Sequence, residues 1–201
     1  MHNERLDKLG IWLRNFFGPQ NFALTCASDD ASFRRYFRVQ DRQQIFIAMD
    51  APPLKANTES FIKIAKLLNQ HNIHAPKIIS IDLKQGFLLL EDLGSTTFLQ
   101  ALNGTFNLDL YKIAIDKLIK IQAINTQNLA LRKYHKQLLN VEMQLLIDWY
   151  LPKTLPSTQF QNLQTIFRLL ADNALNSKQV FVHRDYHCRN LMVLKDNDLG
   201  V

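Results

Sequence analysis

The sequence has few cysteines, no long apolar run and no long basic run. Its two cysteines, Cys26 and Cys188, stand far apart and form no metal-ligand spacing. Such a pair fits reduced thiols, as in a cytoplasm. No stretch is long and apolar enough to cross a bilayer, and the polar, mixed-charge start Met1-His2-Asn3-Glu4-Arg5 lacks the form of a signal peptide. A cytoplasmic protein with no membrane partner is expected. No run of lysine and arginine is long enough to read as a nucleic-acid patch, so no nucleic-acid partner is expected. Internal repeats and low-complexity segments are absent as well.

What remains is a globular composition. The 201 residues are 47% hydrophobic and 21% charged, enough for one large domain or two small lobes with a real core. The formal net charge of +6 suits a protein that handles phosphates.

The densest chemistry lies near the end, in His183-Arg184-Asp185-Tyr186-His187-Cys188-Arg189-Asn190. Apolar runs, Val180 to Val182 and Leu191 to Leu194, flank it. The pattern H-R-D-x-x-x-x-N is the catalytic-loop signature of kinase-type phosphotransferases. In that chemistry Asp185 accepts the proton of an attacking hydroxyl, and Asn190 is a metal ligand. An amide oxygen suits a hard cation such as Mg²⁺. A polar loop between two buried strands is the alternative.

The rest of the chain supplies the setting. Leu6, Leu9, Trp12, Leu13, Phe16 and Phe17 have helical spacing, and Gly18-Pro19 ends that helix. The period then changes. Strands are expected at 22–27, 33–39 and 44–49, with a turn over 28–32 where a phosphate-covering loop would lie. That turn has no glycine, although its serine hydroxyls could donate to phosphate. Ile47-Ala48-Met49-Asp50 falls where protein kinases carry V-A-I-K, so an aspartate occupies the lysine position. Arg35 is the candidate replacement cation, since alternation places Arg34 and Arg38 on the other strand face; solvated strand arginines are the alternative. A helix is expected from Asn57 or Thr58 to Gln70, then strands near 77–81 and 86–90. The last strand enters Glu91-Asp92-Leu93-Gly94, a connector whose backbone would bind adenine. Beyond it the pattern is helical: 96–102, 108–124, 136–150 and 159–176. Glu142 and Trp149 are seven residues apart on one face, offering a carboxylate and a stacking indole to a sugar; a core tryptophan beside a solvated glutamate is the alternative.

Taken together, the catalytic loop, Asp30-Ala31-Ser32-Phe33-Arg34-Arg35-Tyr36-Phe37-Arg38-Val39, Met49-Asp50-Ala51-Pro52-Pro53, Leu89-Leu90-Glu91-Asp92-Leu93-Gly94 and the stretch Glu142 to Leu151 resemble the aminoglycoside-phosphotransferase superfamily. Within it the similarity is to the anomeric amino-sugar kinases of bacterial cell-wall recycling, which act on N-acetylmuramate and N-acetylglucosamine. It runs from about residue 10 to Val201. The resemblance implies an α+β, two-lobed, protein-kinase-like fold. Residues 1–93 would form a nucleotide-covering lobe and 94–201 a mostly helical second lobe, incomplete here. It implies ATP and Mg²⁺ as cofactors, a small-molecule sugar substrate, and γ-phosphoryl transfer to the C1 hydroxyl. Asp185 would be the base and Asn190 a magnesium ligand. Asp30, Ala31 and Ser32 would cover the phosphates, with Arg35 beside them, and Glu91 to Leu93 would form the adenine hinge. His187, Glu142 and Trp149 would contact the sugar.

The resemblance also marks a departure. The family continues into a strand carrying an aspartate, in a D-F-x-D-like motif, that binds the principal metal, and this sequence stops before it. Asp196 and Asp198 lie at a turn tip, where they cannot substitute. The 201 residues alone are therefore expected to be inactive or severely impaired. Two other readings stay open: an antibiotic O-phosphotransferase, and a non-catalytic nucleotide-binding protein of the pseudokinase type.

Overall fold

The structure is a computed structural model that describes residues 4–18, 22–28, 33–42, 44–54, 56–127, 129–151, 155–196 and 198–201. The described chain separates into two compact units, Met1–Ile121 with His183–Val201, and Gln122–Val182. This division by contacts falls elsewhere than the 93/94 boundary read from the sequence.

In the first unit, helix α1 (Glu4–Phe17) precedes strands β1 (Ala23–Ser28), β2 (Arg35–Asp41) and β3 (Gln44–Asp50). Helix α2 (Thr58–Gln70), β4 (Ile78–Asp82) and β5 (Phe87–Glu91) follow. The five strands make one sheet, ordered β1-β2-β3-β5-β4, with every neighbouring pair antiparallel.

Alternation decides which helix covers which face. Val39, Ala48, Phe87 and Leu89 point to one side and pack against Leu9 and Leu13 of α1. Met49, Leu88 and Leu90 point to the other, where Phe61 and Ile62 of α2 meet them. β5 is buried on both faces, which is why it reads as an unbroken apolar run. Gly86 makes the bend into β5 possible. Its φ is +75°, its carbonyl accepts the Ala51 amide at 2.8 Å, and a Cβ there would collide with the Ala51 carbonyl.

Helix α2 opens on Asn57, whose Oδ1 accepts the Ser60 amide at 2.9 Å. Short helix α3 (Phe98–Leu102) is held by a capping box: Thr97 N donates to Gln100 Oε1 at 2.8 Å, and Gln100 N donates to Thr97 Oγ1 at 3.2 Å. Helix α4 (Leu108–Gln122) turns Leu110, Ala114, Lys117 and Ile121 inward. A two-stranded hairpin, β6 (Met192–Val193) and β7 (Leu199–Gly200), completes the unit. The stretch Val180 to Val182 forms no strand, so the loop it precedes has a strand on one side only.

The second unit contains α5 (Lys136–Trp149) and α6 (Ser157–Asn176), joined by a Lys136–Asp172 ion pair of 2.7 Å. Trp149 is 84% exposed, which overturns the alternative of a core tryptophan. Among the described residues, no helix is long and apolar enough to cross a membrane.

Candidate active site

The loop 183–190 is carried on α3, α4 and the β6–β7 hairpin. Phe98 N donates to the Leu191 carbonyl at 2.8 Å, Leu99 N to that of Cys188 at 2.9 Å, and the Tyr186 hydroxyl to that of Ala114 at 2.7 Å. Leu191, Tyr186 and Cys188 pack with Phe98, Leu102, Leu110 and Ala114, so the polar loop stands on an apolar floor. Burial, helped by Asp198, pushes the Tyr186 hydroxyl up to about 12, which keeps it a donor. His183 lies edge-on to Tyr186 with ring centroids 5.4 Å apart. Its Nδ1 is buried without a hydrogen-bond partner. Burial lowers its pKa, with Asp185 opposing the shift. Arg184 has a φ of +77°, an uncommon backbone state for a residue with a side chain, at the step before Asp185.

Asp185 reaches out of this floor and is 69% exposed. Asn190 Nδ2 donates to Asp185 Oδ2 at 2.6 Å and to the Asp185 carbonyl at 3.1 Å. His187 Nε2 stands 3.0 Å from Oδ1. The loop therefore brings Asp185, His187 and Asn190 together. Two acceptors around one amide nitrogen assign the orientation of Asn190, and its Oδ1 is left as the atom that would face a cation. An amide oxygen there would be one of the oxygen ligands a hard cation takes beside phosphate oxygens and waters. Among the described residues, no group of three or more His, Cys, Asp or Glu side chains could hold a metal ion.

The hairpin beside the loop is held by Lys117, which in the sequence is one position of a helical pattern. Lys117, 5% exposed, donates to Asp198 Oδ2 at 2.7 Å and to the Leu199 carbonyl at 2.5 Å. Burial raises the Asp198 pKa, but the hydrogen bonds from Lys117 and the Leu199 backbone, with the Lys117 and Lys120 charges, outweigh it and the net shift is downward. Asp198 is thus tied to α4. Lys117 sits in register with Leu110, Ala114 and Ile121. A lysine in an apolar register was the signal that it has a buried partner.

The connector Glu91–Gly94 lies in the same unit. Glu91 N donates to the Lys77 carbonyl at 2.9 Å, and the Glu91 carboxylate takes His74 Nε2 and Lys77 N, each at 3.2 Å. Asp92 is gripped by Arg38 through Nε at 2.8 Å and Nη2 at 3.2 Å, and Arg38 also reaches the Gly94 carbonyl at 2.9 Å. Gly200 of β7 abuts Leu93, where an added Cβ would come within 2.7 Å of Cδ1. Connector and hairpin thus touch.

Arg35 requires a correction. It was expected beside the nucleotide phosphates, but Nε and Nη2 are bonded to Asp50 Oδ2 at 3.1 and 2.5 Å. Asp50 is fully buried, on the sheet face that α1 covers, and Arg5 of α1 binds its other oxygen. On β3, Met49 and Ile47 lie on the α2 side. Arg34, on the α2 side, lies over the Phe61 ring at 5.4 Å and donates to the Asn57 carbonyl at 3.3 Å. Arg34, Arg35 and Arg38 therefore divide by alternation, and each has a partner. Asp30, Ala31 and Ser32 lie outside the described residues. Glu142, half-buried, and Trp149 belong to the second unit.

A profile described as the phosphotransferase enzyme family matches residues 24–201. The chain belongs to that family. It is 41% identical over 208 residues to the N-acetylmuramate/N-acetylglucosamine kinase of Pseudomonas aeruginosa, covering 96% of this chain and 61% of that protein. The chain spans about three fifths of the length of the curated relatives it matches. Among solved structures it is similar to an ADP-bound aminoglycoside phosphotransferase, APH(2'')-Ib, with a TM-score of 0.65, 15% identity, and coverage of 96% of this chain and 68% of that one. It is also similar to the choline kinase LicA of Streptococcus pneumoniae, with a TM-score of 0.66, 14% identity, and coverage of 99% and 68%. These likenesses establish the α+β, kinase-like phosphotransferase fold. Because that fold serves proteins named for different acceptors, it does not choose among them.

Proposed function

We propose that this phosphotransferase-family chain carries the nucleotide-binding sheet and catalytic loop of an ATP-dependent kinase acting on the C1 hydroxyl of an N-acetylated amino sugar, N-acetylmuramate or N-acetylglucosamine, in cell-wall recycling in the cytoplasm. The observation that carries the reading is the Asp185 carboxylate, exposed to an acceptor and fixed by Asn190 at 2.6 Å. The amino-sugar kinase named above supplies the acceptor class at 41% identity.

Asp185 accepts the acceptor's proton as the sugar oxygen bonds to the γ-phosphorus and the bond from that phosphorus to the β–γ bridging oxygen breaks, releasing ADP. Asn190 orients Asp185 with its amide nitrogen and offers its oxygen to magnesium. When bound, magnesium supplies charge neutralisation across the phosphates. The connector Glu91–Leu93, braced by Arg38, takes the adenine edge, and the Asp30–Ser32 turn covers the phosphates. Residues 1–93 form the nucleotide-covering lobe and 94–201 the mostly helical lobe that carries the catalytic loop, a functional boundary distinct from the compact units. Glu142 and Trp149 are the proposed sugar contacts.

The test is an acceptor panel. The full-length protein is offered ATP with N-acetylmuramate, N-acetylglucosamine, aminoglycosides and choline, and each product is located by phosphorus NMR. A C1 phosphate on the N-acetylated sugars supports the reading. Phosphorylation confined to aminoglycosides or choline refutes it.

A further inference from the structure

Both oxygens of Asp185 face nitrogens from its own loop. Asn190 Nδ2 meets Oδ2 at 2.6 Å, and His187 Nε2 meets Oδ1 at 3.0 Å. The second ring nitrogen of His187 is also engaged, since the Arg189 amide stands 3.2 Å from Nδ1. A backbone N–H donates only to a nitrogen bearing a lone pair, so Nδ1 carries no proton in this arrangement. The neutral ring then holds its proton on Nε2, the nitrogen that stands 3.0 Å from Oδ1. Turning the ring over would break the Arg189 bond and take the protonated nitrogen away from Oδ1. The Asn190 amide donates to the His187 carbonyl at 2.9 Å, so the backbone carrying the ring is tied as well.

We propose that His187 is a positioning residue for Asp185: held as the Nε2–H tautomer between the Arg189 amide and Oδ1, it fixes the rotation of the carboxylate so that its remaining lone pairs face the acceptor hydroxyl. The proposal rests on the reading of Asp185 as the base. An aspartate this exposed has no packing to select its rotamer, so hydrogen bonds must do it. An ionised carboxylate has about four acceptor positions, and His187 and Asn190 use only two of them. A neutral donor orients the group without the full ion pair that arginine or lysine would impose. With both ring nitrogens turned into the loop, His187 has none left for a sugar, which moves it away from the sugar contact expected from the sequence.

Two measurements on the full-length protein test this. The first is nitrogen NMR of the His187 ring at about pH 8, where an ordinary imidazole is neutral. A single Nε2–H tautomer that becomes a mixture in Asp185→Ala is expected; an Nδ1–H tautomer in the native protein overturns the proposal. The second is kinetics. His187→Ala should lower kcat about 10- to 100-fold with KM for ATP and sugar within about twofold, and His187→Gln, which keeps one donor and one acceptor, should restore most of the loss. Unchanged kcat, or a higher sugar KM alone, overturns it. If the native protein phosphorylates no amino sugar, the kinase reading fails, and the NMR result alone decides whether His187 holds Asp185.

Discussion

Arg35 and Asp50 are register partners across β2 and β3, and the guanidinium closes on a carboxylate that has no exposed surface. Arg5 closes on the same group from α1 and also lies over the Phe87 ring at 5.0 Å. Two cations on one buried anion satisfy it, whereas one buried charge without a partner is strongly destabilising. Asp50→Ala should therefore cost about 2–3 kcal/mol, below the usual range for breaking a buried pair because both arginines keep some contact with water. Arg35→Gln should cost about 1–2 kcal/mol and leave ADP affinity within about twofold. Chemical denaturation and ADP titration check the pair. A large loss of affinity with little loss of stability would return Arg35 to the phosphates.

Lys117 is the corresponding anchor for the hairpin. Lys117→Met keeps the apolar stem and removes the ammonium, leaving the Leu199 carbonyl and Asp198 without it. The expected cost is about 2–3 kcal/mol, moderated because Asp198 is partly solvated. Asp198→Asn, which retains a weaker acceptor, should cost about 1 kcal/mol. Urea denaturation of the two variants gives the comparison, and equal costs would contradict the picture of Lys117 as the buried member.

Arg38 braces the connector from β2 through Asp92 and the Gly94 carbonyl. Arg38→Ala should weaken ADP binding about tenfold, equivalent to about 1.4 kcal/mol, by releasing a connector that must otherwise be reordered on binding. Isothermal titration reads this directly. Unchanged affinity would remove the connector from the nucleotide site.

The sheet, the helices and the catalytic loop were legible in the sequence because each rests on a local pattern. Strand alternation separated Arg35 from Arg34 and Arg38, helical spacing delimited α1 and α2, and a fixed spacing joined Asp185 to Asn190. The partners were not legible. Nothing local says that Arg5 meets Asp50 45 residues on, that Arg38 meets Asp92, or that Lys117 meets Asp198. Those pairs depend on how separate elements dock, which periodicity does not encode. Arg35 shows the consequence: alternation gives its strand face, but not which helix covers that face.

Acid should weaken the first unit in two stages. Burial lowers the His183 pKa below its ordinary value of about 6.5, so the unfolded chain takes up that proton first as pH falls. The stability from neutral His183 is full above about pH 6.5 and declines as pH drops toward the folded-state value. Asp198 is lowered from about 3.9, so its contribution is full above that value and is lost as pH falls through the lower folded-state value. Melting temperature followed from about pH 7.5 to 3 should show both declines. His183→Phe should flatten the upper one and leave the lower one; a persisting upper slope would assign it to another group.

The most direct test of the central claim is the rate of phosphoryl transfer from ATP to N-acetylmuramate by the full-length protein and its Asp185→Asn variant. The variant's kcat should be lower by about 10²- to 10⁴-fold, the range of general-base catalysis, with ADP affinity and melting temperature unchanged. A variant that retains the native rate would contradict the claim.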